Sequence, residues 1–158
     1  MTDLRAARVL RAFVELAERG AGMSIEERLT DTGWVEMEPG SGGLHRQWRK
    51  DEIVATQFGR GASVFLEVTT ELVKADPDEP SSEDRLTAEF ETRFERNLAE
   101  ANQVLGAAAF VGSYGDEGFP EDVDAVMTAQ WPVGVGVLAL NFTHEDWGVP
   151  FRVTATVR

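Results

Sequence analysis

The stretch SSEDRLTAEFETRFERNLAEANQVLG, residues 81–106, decides how the rest of the chain has to be arranged. Leu86, Phe90, Phe94, Leu98, Ala101 and Leu105 recur in it at three- and four-residue spacing, which puts them along one side of an α-helix. Glu89, Arg93, Glu95, Arg96 and Glu100 take the remaining surface and offer opposite charges one turn apart. Ser81 or Ser82 can cap the first turn, Glu83 and Asp84 suit its positive end, and Gly106 can stop the last turn. A helix with one such stripe is stable only when the stripe is covered, so the flanking segments must supply an apolar face.

On the C-terminal side, Trp131 to Phe142 and Val149 to Val157 are rich in β-branched residues and alternate, which predicts two strands joined through 143–148. In the second, Phe151, Val153, Ala155 and Val157 share a side, and Arg152, Thr154 and Thr156 share the other. Residues 107–130 mix Gly112, Gly115, Gly118 and Pro120 with Val123, Val126 and Met127, and are expected to be irregular with a short helical turn. On the N-terminal side, Lys74 to Ser82 is an acidic connection containing two prolines and is expected to be mobile. Before it, Trp34–Glu38, Leu44–Arg49, Ile53–Phe58 and Ala62–Thr70 are short strand-like segments separated by turn residues, which predicts an antiparallel meander. Further out, Ala6, Val9, Leu10, Phe13, Leu16 and Ala17 mark an amphipathic helix over Leu4–Arg19, with Thr2 as cap and Gly20 as stop. Ser24 and Glu27 fit a capping box opening a short helix to Asp31. The expected fold is a single α+β domain, a two-layer sandwich. An antiparallel sheet of about five to six strands packs on the N-terminal helix and the long central helix.

Composition narrows the function classes. The 158 residues carry 28 Asp and Glu against 15 Lys and Arg, a net charge of -13. Such a field disfavours nucleic acid and anionic membrane as partners and favours basic proteins or cations. There is no cysteine, which excludes disulfides and thiolate chemistry. The longest apolar stretch, Val133–Leu140, is far short of the ~20 residues of a membrane-spanning helix, and residues 1–20 lack the pattern of a signal peptide. A soluble, cytoplasmic protein is expected.

No residue pattern stands out as catalytic. His45 and His144 have no second histidine at metal spacing, and His144, Glu145 and Asp146 sit in a polar turn, so no metal is expected. Gly112-Ser113-Tyr114-Gly115 misses the nucleophile-elbow spacing. Gly59-Arg60-Gly61 leads into a strand, not a helix N-terminus, so it reads as a turn and not a phosphate cradle. No cofactor is expected. With 28 acids, a catalytic carboxylate pair cannot be singled out, so enzymatic activity is not the leading expectation. Trp34, Trp48 and Trp131 stand at strand ends, where a large ring closes a core; Trp147 stands in a polar turn, where it can anchor an interface.

The acidity is uneven. Residues 101–125 hold Asp116, Glu117, Glu121, Asp122 and Asp124 without a single basic residue, and Tyr114 and Phe119 are interleaved with them. Acids that steer and aromatics that bury make a docking site for a basic partner, so these seven residues together with Trp147 are the candidate binding residues.

The chain is rich in arginine, has only Lys50 and Lys74, and is heavy in Ala, Gly, Val and Glu, which looks like high-GC coding of actinobacterial type. Its size, acidity and lack of cysteine resemble bacterial immunity proteins that neutralise polymorphic toxins. Its order of helix, strands, long helix and strands resembles the type III secretion chaperone-like fold. The first resemblance implies a non-enzymatic module that occludes a toxin. The second implies a protein-binding homodimer. A small hydrolase or ligand-binding protein is the remaining expectation, with a pocket between sheet and long helix lined by carboxylates or His144.

Overall fold

The computed structural model describes residues 5–20, 22–39, 45–144 and 149–158. Helix α1 spans Ala6–Glu18 and α2 Ile25–Asp31, and four strands follow: β1 (Val35–Glu36), β2 (Arg46–Lys50), β3 (Ile53–Phe58) and β4 (Phe65–Val73). Helix α3, Ser82–Leu105, leads to β5 (Phe110–Ser113), β6 (Met127–Val133), β7 (Gly136–Thr143) and β8 (Phe151–Val157). All eight strands form one antiparallel sheet in the order β1-β2-β3-β4-β8-β7-β6-β5. Each half of the chain is thus a helical segment followed by a four-stranded meander, and the halves join where β8 pairs with β4.

The apolar patterns dictate one helical layer. In α1 the buried residues are Ala6, Val9, Leu10, Phe13, Leu16 and Ala17, the set its periodicity marks. In α3 they are Leu86, Phe90, Phe94 and Ala101, with Ser82 and Asn97 completing the line. Both helices pack on β6, β7 and β8 and on each other. Phe90, Phe94, Phe142 and Phe151 pack together beneath α3. Trp34, Trp48 and Trp131 are buried, and the Trp131 indole N–H donates to the Gly106 carbonyl oxygen at 2.9 Å, fastening the end of α3 to β6. The capping box of α2 forms, with Ser24 Oγ accepting from the Glu27 amide and Glu27 accepting from the Ser24 amide. Ser82 does not cap α3; its hydroxyl accepts from the Asp76 amide and donates to the Asp76 carbonyl, tying down the connection after β4.

Three expectations need correction. The sheet has eight strands and not five or six. One reason is that Trp131 to Phe142 is not one strand: at Gly134, with φ +55°, the chain reverses, so Trp131 pairs with Leu138. The other is that 107–130 contains β5 and the start of β6 and no helix. The Val126 amide donates to the Phe142 carbonyl oxygen at 2.8 Å, and this sheet-type pairing takes the place of the helical turn. Thr2 lies outside the described residues.

A bulge between Thr69 and Glu71 shifts the register of β4 against β8. It turns Glu71 to the helix side, where the carboxylate meets Asn97 Nδ2 at 2.7 Å, Arg96 at 3.1 Å and Arg93 at 3.4 Å. At the other end of the sheet Arg46 bridges Glu36, at 2.7 Å, and Glu26, at 3.0 Å. The Arg46 bond holds Glu36 below the usual carboxylate range; Glu26 is held low first by a hydrogen bond from Gln57 and only secondarily by Arg46. Both groups titrate lower when folded. The stability they give is therefore complete above the ordinary carboxylate range and lost as pH falls through the lowered values. Arg46→Ala is expected to return Glu36 to ordinary titration while Glu26 keeps most of its depression, as read by side-chain carboxyl chemical shifts against pH. An unmoved Glu36 would show that the bridge does not form in solution.

Candidate functional site

α1 and α3 pack on one side of the sheet, and strand alternation decides what the other side presents. Cross-strand partners share a face: Thr128 is opposite Asn141, Asn141 opposite Thr154, Ala139 opposite Thr156, and Thr156 opposite Glu67. These are neutral hydroxyls and amides for the most part, where a solvated sheet face is ordinarily rich in charge. Four of the polar groups are buried, Thr128 and Thr154 at 0% exposure and Asn141 and Thr143 at 6%, while Thr156 and Glu67 are half-buried.

The segment after β5 walls this face. The Tyr114 amide donates to the Val126 carbonyl oxygen, closing the loop at its base, and Asp122 is paired with Arg158 of the sheet's central end. Between loop and sheet lies a basin of about 390 Å³. Asp122, Val123 and Asp124 form one side, Phe65 stands on the other, and Gln130, Asn141, Thr143, Thr154 and Thr156 line the sheet side. The Glu67 carboxylate in the basin accepts from Arg152 at 3.1 Å. The basin's lining offers hydroxyl, amide and carboxylate groups. His144 is elsewhere: its ring stacks on Phe151 at 3.8 Å on the helix side, with Nε2 3.8 Å from Glu83 of α3. Among the described residues no three His, Asp or Glu side chains cluster as a metal site.

Of the residues singled out from the sequence, seven fall in the described loop. Tyr114 is 80% exposed, its ring seated edge-on against Phe119 at 5.9 Å, and Phe119 rests in turn on Phe110 at 6.2 Å. Asp116 holds the loop's own shape: its Oδ2 accepts from the Ser113 amide at 2.7 Å. Asp122 is committed to Arg158. Glu117, Glu121 and Asp124 are exposed and form no ion pair among the described residues. Trp147 lies outside the described residues. The basin itself was missed in the sequence. Its signal was present in the alternate positions of two strands, Asn141 and Thr143, then Thr154 and Thr156, which are polar without being charged.

The chain matches no protein-family model, no curated protein and no solved structure. None of the helices of the described residues is long and apolar enough to cross a membrane.

Proposed function

We propose that the chain is a non-enzymatic, cytoplasmic protein-binding module for a basic partner, in its most concrete form an immunity protein that occludes a toxin. The observation that carries this reading is Tyr114, a large ring 80% exposed yet held in place by Phe119, with Glu117 and Glu121 beside it in sequence and uncompensated. A preordered aromatic loses little entropy when it is buried by a partner, and surrounding acids accelerate and orient the encounter. If the toxin is a nuclease, these carboxylates occupy the positions of substrate phosphates.

The test is binding of the purified chain to the product of an adjacent reading frame, measured by calorimetry at low and high salt. Tyr114→Ala is expected to weaken the complex at least 30-fold, since hot-spot truncations cost about 2 kcal/mol or more. Joint reversal of Glu117 and Glu121 to lysine is expected to slow association and flatten the salt dependence. Should no neighbouring product bind, or both variants bind like the parent, the proposal fails. A chaperone-like homodimer is the competing reading, and a strict monomer in sedimentation counts against it.

A further inference from the structure

The basin beneath the loop contains polar groups that the fold leaves without partners. The Oγ1 atoms of Thr154 and Thr143 and Nε2 of Gln130 are shielded from water and have no hydrogen-bond partner. All three side chains line the basin, and Thr154 and Thr143 are 0% and 6% exposed. Leaving a buried hydroxyl unpaired costs about 1–3 kcal/mol, whereas valine has the same shape and no such cost. Elsewhere on this face the polar groups are satisfied: the Thr128 hydroxyl donates to Asn141 Oδ1 at 2.7 Å. Unmet hydrogen-bonding capacity is thus concentrated on the basin's sheet side, in a volume within the ordinary range of small-ligand sites.

The charges choose the ligand class. Arg152 is paired with Glu67 and Arg158 with Asp122, which leaves Asp124 as the unpaired charge in the lining. An incoming anion would meet three carboxylates and two guanidiniums that are already neutralised. A hydroxyl both donates and accepts, and so matches threonine hydroxyls, an amide N–H donor and a carboxylate acceptor at once. We propose that the basin binds a small uncharged polyhydroxylated molecule, of the size of one or two sugar rings, and that the Thr143 and Thr154 hydroxyls and the Gln130 amide rotate out of their shielded positions to bond it.

The test uses the full chain, ¹⁵N-labelled, titrated separately with glucose, ribose, myo-inositol and trehalose, and with phosphate and guanidinium as ionic probes. At least one polyol is expected to give saturable shifts centred on the amides of Thr143 and Thr154. Thr154→Val and Thr143→Val are each expected to weaken that binding tenfold or more while the thermal midpoint holds or rises, because each removes an unpaired buried hydroxyl. The proposal is overturned if no polyol saturates, if only an ionic probe does, if the shifts lie away from the basin, or if both valine variants bind unchanged. Tyr114→Ala is expected to leave polyol binding intact, which keeps this result separate from the docking of a protein on the loop.

Discussion

Replacing Gly134 with alanine is expected to destabilise the fold by about 3 kcal/mol, a large value for a single methyl group. Gly134 makes the turn between β6 and β7 at φ +55°, and the turn lies directly on the C-terminal end of α1. A Cβ there would stand 2.2 Å from the Ala17 carbonyl oxygen and 3.0 Å from the Glu18 Cα, both backbone atoms that no rotamer change can move. Relief requires the turn and the helix end to separate. That would break the bond from the Val135 amide to the Ala17 carbonyl, 3.0 Å long, and open the packing around Leu16 and Ala17. Gly33→Ala is the control: its φ is +90° but nothing lies within 4 Å of the added carbon, so only backbone strain of about 1–2 kcal/mol is expected. Urea unfolding of the two variants separates collision from strain, and equal losses would refute the docking of this turn on α1.

Phe90→Ala is expected to cost about 3–5 kcal/mol, the usual toll of removing a buried aromatic ring. The ring is fully buried and lies 5.8 Å from Phe142 and 5.6 Å from Phe151, and the Arg93 guanidinium sits 4.7 Å above it. Its neighbours come from β7 and β8 and are held by strand pairing, so the vacated space cannot be closed by simple collapse. Against a typical total stability of about 5–15 kcal/mol, the loss should be visible as a sharply lowered denaturant midpoint with an unchanged slope. A loss below about 1 kcal/mol would mean that α3 is not held by this cluster.

The helices were legible because their periodicity is local. All six buried positions of α1 could be listed from the sequence, and the inward side of β8 could be assigned from alternation alone. What failed depends on partners distant in the chain. β5 is four residues long and gains its identity only from pairing with β6, and the bulge at Thr69–Glu71 is defined by its register against β8. The acidic loop was legible as composition. Its place over the sheet was not, since it is set by pairs such as Asp122 with Arg158, 36 positions apart, while the basin depends on Glu67 with Arg152, 85 apart. The threonines of the basin's face read as solvated because alternation distinguishes the two faces without saying whether a loop will cover either.

The placement of β8 has a bearing on how the chain is made. It is the last of the eight strands to be synthesised, yet it sits at the middle of the sheet between β4 and β7. Until it leaves the ribosome, β4 and β7 each present an unpaired strand edge to the cell. The β4–β8 junction also has to close a loop of about eighty residues before any of its bonds form. Before β8 emerges the nascent chain holds two incomplete half-sheets, the state in which strand edges recruit other chains.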